Sequence, residues 1–101
     1  RAASFTPLPK FPAIERDLAL VVDEDTAAGD VITAIRAAHP LIEAAELFDV
    51  YRGDQLEAGR KSLACSVRLH STERTLQDKE ADAAIKRVLK HLQQTLGAQL
   101  R

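Results

Sequence analysis

KSLACSVRLHS, Lys61 to Ser71, is the stretch on which the fold turns. Read with a period of two, it puts Leu63, Cys65, Val67 and Leu69 on one side and Ser62, Ala64, Ser66, Arg68 and His70 on the other. That is a strand with a dry face and a wet face, the pattern of a sheet covered on one side only.

Outward from it the same alternation recurs. RDLALVVD, Arg16 to Asp23, places Leu18, Leu20 and Val22 on one face and Asp17, Ala19 and Val21 on the other. FDVYRG, Phe48 to Gly53, closes a further strand expected over Glu46 to Tyr51, with Phe48 and Val50 toward the core and Asp49 and Tyr51 away from it. Between the first two strands, Val31, Ile32, Ile35 and Ala38 recur at helical spacing and Pro40 stops the pattern, predicting a helix over Ala28 to Ala38. After the strand of the opening stretch, Ala81, Ile85, Val88, Leu92 and Leu96 form one stripe, predicting a long helix from Asp78 to Leu96 ended by Gly97. AQLR at the close supplies a short edge strand.

The order strand, helix, strand, strand, helix, strand predicts an α+β, ferredoxin-like βαββαβ sandwich, a split βαβ with a four-stranded sheet and both helices on one face. The expected core is Leu18, Leu20, Val22, Phe48, Val50, Leu63, Val67, Leu69, Ile85, Val88 and Leu92. RAASFTPLPKFP, residues 1–12, holds three of the four prolines and reads as an extended arm or linker, leaving 13–101 as the domain.

Composition narrows the function. At 101 residues and 46% hydrophobic the chain suits a single domain with its own core. One cysteine makes no internal disulfide, and no apolar run is long enough for a bilayer, so a cytoplasmic protein with no membrane partner is expected. The chain contains no methionine and reads as a piece of a longer polypeptide. Its net charge of −1 hides an imbalance: residues 1–51 carry four basic and nine acidic side chains, the remaining fifty ten and six.

Several chemistries fail on the residues. The three histidines are dispersed and one cysteine makes no metal-ligand set. Cys65 falls on the core face, where a thiol is inert packing. A phosphatase on this topology would cradle phosphate at the start of the first helix, but DEDTAAGD, Asp23 to Asp30, brings four carboxylates and no arginine there. What remains is the wet face, where a tyrosine, an aspartate, small hydroxyls and Arg68 form a platform suited to an unstacked base. Tyr51 alone also fits a half-buried strand residue, and Asp49 a surface partner for Arg52 or Arg60. A regulatory module binding a small molecule or a protein partner is a third reading.

FPAIERDLALVV (Phe11 to Val22), LFDVYRG (Leu47 to Gly53), GRKSLACSVRL (Gly59 to Leu69), RTLQDKE (Arg74 to Glu80) and the closing LGAQLR resemble, in order and spacing, the ferredoxin-fold anticodon-binding domain. That domain ends the beta subunit of bacterial phenylalanyl-tRNA synthetases. The resemblance implies an accessory, non-catalytic domain that grips the anticodon stem-loop of tRNA(Phe), while a parent enzyme using ATP and Mg2+, with its alpha subunit, performs aminoacylation elsewhere. It implies that Tyr51 stacks an anticodon base and that Asp49 and Ser62 make polar contacts. Ser66, Arg68 and Arg101 complete the RNA-binding set expected. No cofactor is expected in the domain itself.

Overall fold

The computed structural model describes residues 11–101, so residues 1–10 of the expected arm lie outside the described residues. The elements are β1 (Ile14–Asp23), α1 (Ala28–Ala38), β2 (Ile42–Tyr51), β3 (Arg60–Leu69), α2 (Asp78–Leu96) and β4 (Gln99–Leu100). The strands form one antiparallel sheet in the order β2-β3-β1-β4, the split βαβ arrangement of a ferredoxin-like α+β fold.

The apolar stripes of the two helices meet the apolar side of the sheet in a single core. Val31 and Ile35 of α1 and Ala81, Ala84, Ile85, Val88 and Leu92 of α2 are buried against Leu18, Leu20 and Val22 of β1 and Leu63, Cys65, Val67 and Leu69 of β3. Val50 is partly buried and packs against the same cluster. At the far end of α2, Gly97 adopts the left-handed conformation (φ 65°) that a side chain would resist, and its N–H donates to the carbonyl of Gln93 at 3.0 Å. The chain therefore reverses straight into β4, which pairs with β1 only at Leu20 and Val21.

The start of α2 is fastened by a return contact: the Glu80 carboxylate accepts from the Gln77 backbone N–H at 3.1 Å and also pairs with Arg74. The Gln77 N–H first, and the Arg74 guanidinium second, hold this carboxyl below its ordinary range. Farther along, Arg16 reaches from β1 to Asp78 and Asp82 on the first turns of α2, at 3.3 and 3.4 Å.

Phe48 departs from the expected core. Its side chain is 60% exposed. Leu47 pairs with Cys65 and Asp49 with Ala64, so β2 spends an extra residue, Phe48, where β3 spends none. This bulge breaks the period-two phase on which the core assignment rested. A second irregularity lies between Ile42 and Ala44.

Candidate nucleic-acid interface

Because both helices cover one face, the register determines what the other displays. At one end a row runs across all four strands: Tyr51 opposite Ser62, Ser62 opposite Val21, Val21 opposite Gln99. In the next row Asp49 lies opposite Ala64, and Ala64 opposite Ala19. The middle of this face is floored by Ser62, Ala64 and Ala19, all small, which leaves space above them for long side chains reaching inward from both edges.

Tyr51 and Arg101 fill that space. The Arg101 guanidinium carbon lies over the Tyr51 ring, 4.6 Å from its centroid, within cation–π range. Arg101 is held by its backbone N–H, which donates to the Ala19 carbonyl at 2.8 Å, and by Nη2, which donates to Gln55 Oε1 at 3.1 Å. At its phenolic end the ring lies over Gly53. A Cβ built on Gly53 would come within 2.3 Å of the Tyr51 oxygen and 2.6 Å of Cζ, so the ring occupies space that only glycine leaves open.

Asp49 keeps a free oxygen. Its Oδ1 accepts from the Val50 backbone N–H at 2.9 Å, and Oδ2 has no partner among the described residues. The arginines that could neutralise it are engaged elsewhere: Arg52 Nη2 lies 2.7 Å from Glu24 Oε1, and Arg60 Nη1 lies 2.8 Å from Asp23 Oδ1. These pairs also correct the expectation that no arginine serves the loop before α1. The β2–β3 loop and the start of β3 bring two arginines there across 28 and 37 residues of sequence. The hydrogen bond from Arg52 holds the Glu24 carboxyl below its usual range.

Ser62 is on the predicted side but is not displayed, being only 3% exposed. It sits on a central strand between Tyr51 and Val21, and a hydroxymethyl group is too short to rise past them. Ser66 and Arg68 stand apart from this cluster. Ser66 is four residues farther along β3, roughly 13 Å away, between Glu46 and Asp17. Arg68 lies between Ala44 and Glu15, and its Nε is 3.7 Å from Glu43 Oε2. His70 Nδ1 is 3.4 Å from the same oxygen.

The open face is thus split: an end with Tyr51, Arg101 and a free carboxylate, and an end where Glu15, Asp17, Glu43 and Glu46 surround one arginine. Phosphate is repelled at the second end. Two contributors escaped the sequence reading, Gly53 and Gln55. Neither was marked by strand alternation, because β2 ends at Tyr51 and the chain bends at Gly53 into the β2–β3 loop.

Cys65 is fully buried, and desolvation pushes its thiol up to about 11. Among the described residues no group of three His, Cys, Asp or Glu side chains could hold a metal ion, and no helix is long and apolar enough to cross a membrane.

Residues 9–101 match the family model of the ferredoxin-fold anticodon binding domain. The chain is 48% identical over 101 residues to the phenylalanine–tRNA ligase beta subunit of Geobacillus kaustophilus, covering 99% of this chain and 13% of that protein. It is 45% identical over 97 residues to the corresponding subunit of Anaeromyxobacter dehalogenans, covering 96% and 12%. With the subunit of Vibrio vulnificus it shares 45% identity over 95 residues, covering 93% and 12%. The chain belongs to the ferredoxin-fold anticodon-binding family, and it spans about an eighth of the length of these curated relatives.

Proposed function

We propose that this ferredoxin-fold anticodon-binding domain grips the anticodon stem-loop of tRNA(Phe) on behalf of a phenylalanine–tRNA ligase beta subunit. In this reading Tyr51 stacks an anticodon base. Asp49 accepts from a base edge, as a free carboxylate can from the N1–H and amino group of guanine, and Arg101 supplies the local positive charge. Ser62 contributes to the floor under the stack. Ser66 and Arg68, set among carboxylates, are at most peripheral. The ATP- and Mg2+-dependent aminoacylation takes place elsewhere in the cytoplasmic parent enzyme, with the alpha subunit.

The observation that carries this reading is the position of Tyr51: a ring on the helix-free face, seated on Gly53, with an arginine over it. Around it the charges that could have neutralised Asp49 are spent on Glu24 and Asp23. An aromatic ring stacks any base, while a carboxylate discriminates among them. A domain carrying net charge −1 adds selectivity to a tRNA held mainly by other contacts, and so binds weakly alone.

The test uses the chain's own probe. Tyr51 is the single tyrosine and there is no tryptophan, so intrinsic emission reports this ring alone. Titration with a synthetic anticodon stem-loop of tRNA(Phe) should quench it saturably, and a hairpin with a substituted anticodon should bind less well. Unchanged emission, with no binding to either hairpin by an independent method, would reject the reading.

A further inference from the structure

We propose that Arg101 occupies the base-stacking position on Tyr51 in the free protein and gives it up to the incoming base, its guanidinium transferring to an RNA phosphate. The inference rests on the stacking role proposed above for Tyr51. A guanidinium is planar, and with its carbon 4.6 Å from the ring centroid it stands over the face on which a base would stack. A base that stacks on that face must displace the guanidinium.

The contact is built to be exchanged. Arg101 is anchored by its backbone, through the bond to the Ala19 carbonyl, so the side chain can leave the ring without loss of β4 pairing. Its other side-chain partner, Gln55, is neutral. By contrast, Arg52, Arg60 and Arg68 all lie within 4 Å of carboxylates. No carboxylate of the described residues pairs with Arg101, so its charge remains available to a phosphate. A single guanidinium over the half-buried Tyr51 ring is a weaker contact than a stacked base, and phosphate is a better partner for it than an amide oxygen. Both halves of the exchange therefore run toward the complex. In the absence of RNA, Arg101 keeps the ring in its binding pose and shields its face from water.

The exchange is read by NMR on the 101-residue chain titrated with the synthetic tRNA(Phe) anticodon stem-loop. In free protein the Arg101 Hδ and Hε resonances should show a ring-current shift that disappears in Tyr51→Leu, which assigns it. On saturation with RNA this shift and the Arg101–Tyr51 NOEs should vanish while Tyr51 gains contacts to a base. In parallel, the slope of log K against log salt should be shallower by about 0.7 for Arg101→Ala, one phosphate contact fewer, and restored by Arg101→Lys. A merely structural clamp would weaken binding in Arg101→Ala and leave the slope as in wild type. RNA binding with the Arg101–Tyr51 NOEs retained, or an unchanged slope in Arg101→Ala, overturns the exchange and leaves the stacking role of Tyr51 standing. If wild type binds no RNA, the proposed function fails and the exchange fails with it.

Discussion

The Tyr51 hydroxyl fills the space a side chain on Gly53 would take, 2.3 Å from where a Cβ would stand. Gly53→Ala should therefore unseat the ring. The colliding atoms are the far end of a movable side chain, so stability should change by less than about 1 kcal/mol. The expected signature is a shift in Tyr51 ring resonances and weaker RNA binding at an almost unchanged melting temperature. A ring unmoved in Gly53→Ala would count against the seat.

Tyr51→Ala should weaken binding of the anticodon stem-loop about 5- to 150-fold, since a base on an aromatic platform is worth roughly 1–3 kcal/mol. Tyr51→Phe should be nearly silent, because stacking uses the ring. Asp49→Asn retains an acceptor for the Val50 N–H and should reduce discrimination among anticodon bases more than affinity. The measurement is a set of titrations of the variants with cognate and base-substituted hairpins.

Phe48→Ser should cost less than about 1 kcal/mol, because the ring lies on the bulge and largely in water. Leu63→Ala, at a fully enclosed position on β3, should cost roughly 2–5 kcal/mol. Urea unfolding of both variants distinguishes the structure from a core that includes Phe48.

Glu80 predicts a loss of stability in acid. Its folded-state pKa lies below the ordinary 4.5, so the stabilisation it provides is complete above that value and lost as pH falls through the lower folded one. Glu80→Gln should flatten the melting-temperature profile below the ordinary 4.5, and Arg74→Ala should flatten it in part.

Cys65 should resist thiol reagents while the domain is folded. With its pKa pushed up to about 11, only about one thiol in a thousand ionises at pH 8, and the side chain has no access to solvent. Labelling by a disulfide reagent should proceed at the rate of global opening and accelerate with urea.

The extents of both helices were legible because each rests on a long apolar stripe with clear punctuation, Pro40 after one and Gly97 after the other. The first residues of β2 were not. Ile42 to Ala45 includes two alanines and little alternation, and they become strand by pairing with Arg68, Val67 and Leu69 of β3. The direction of Tyr51 and Asp49 could be taken from alternation, whereas Phe48 could not, because a bulge inserts no residue type that marks it. The burial of Ser62 and the capture of Arg52 and Arg60 by Glu24 and Asp23 depend on what the fold lays across them, which no local spacing encodes.

The brevity of β4 has a consequence for colloidal behaviour. Since it pairs with β1 only at Leu20 and Val21, the outer edge of β1 from Ile14 to Leu18 has no strand beside it among the described residues. An uncovered edge is a template for fibrillar association. Here the edge carries Glu15 and Asp17, both exposed, on either side of Arg16. A second copy docking antiparallel about Arg16 would set Glu15 against Asp17, and one docking parallel in register would set each carboxylate against itself. Either arrangement opposes like charges, so the bare edge repels its own kind at neutral pH, and Glu15→Val together with Asp17→Val would turn it into a nucleus for aggregates.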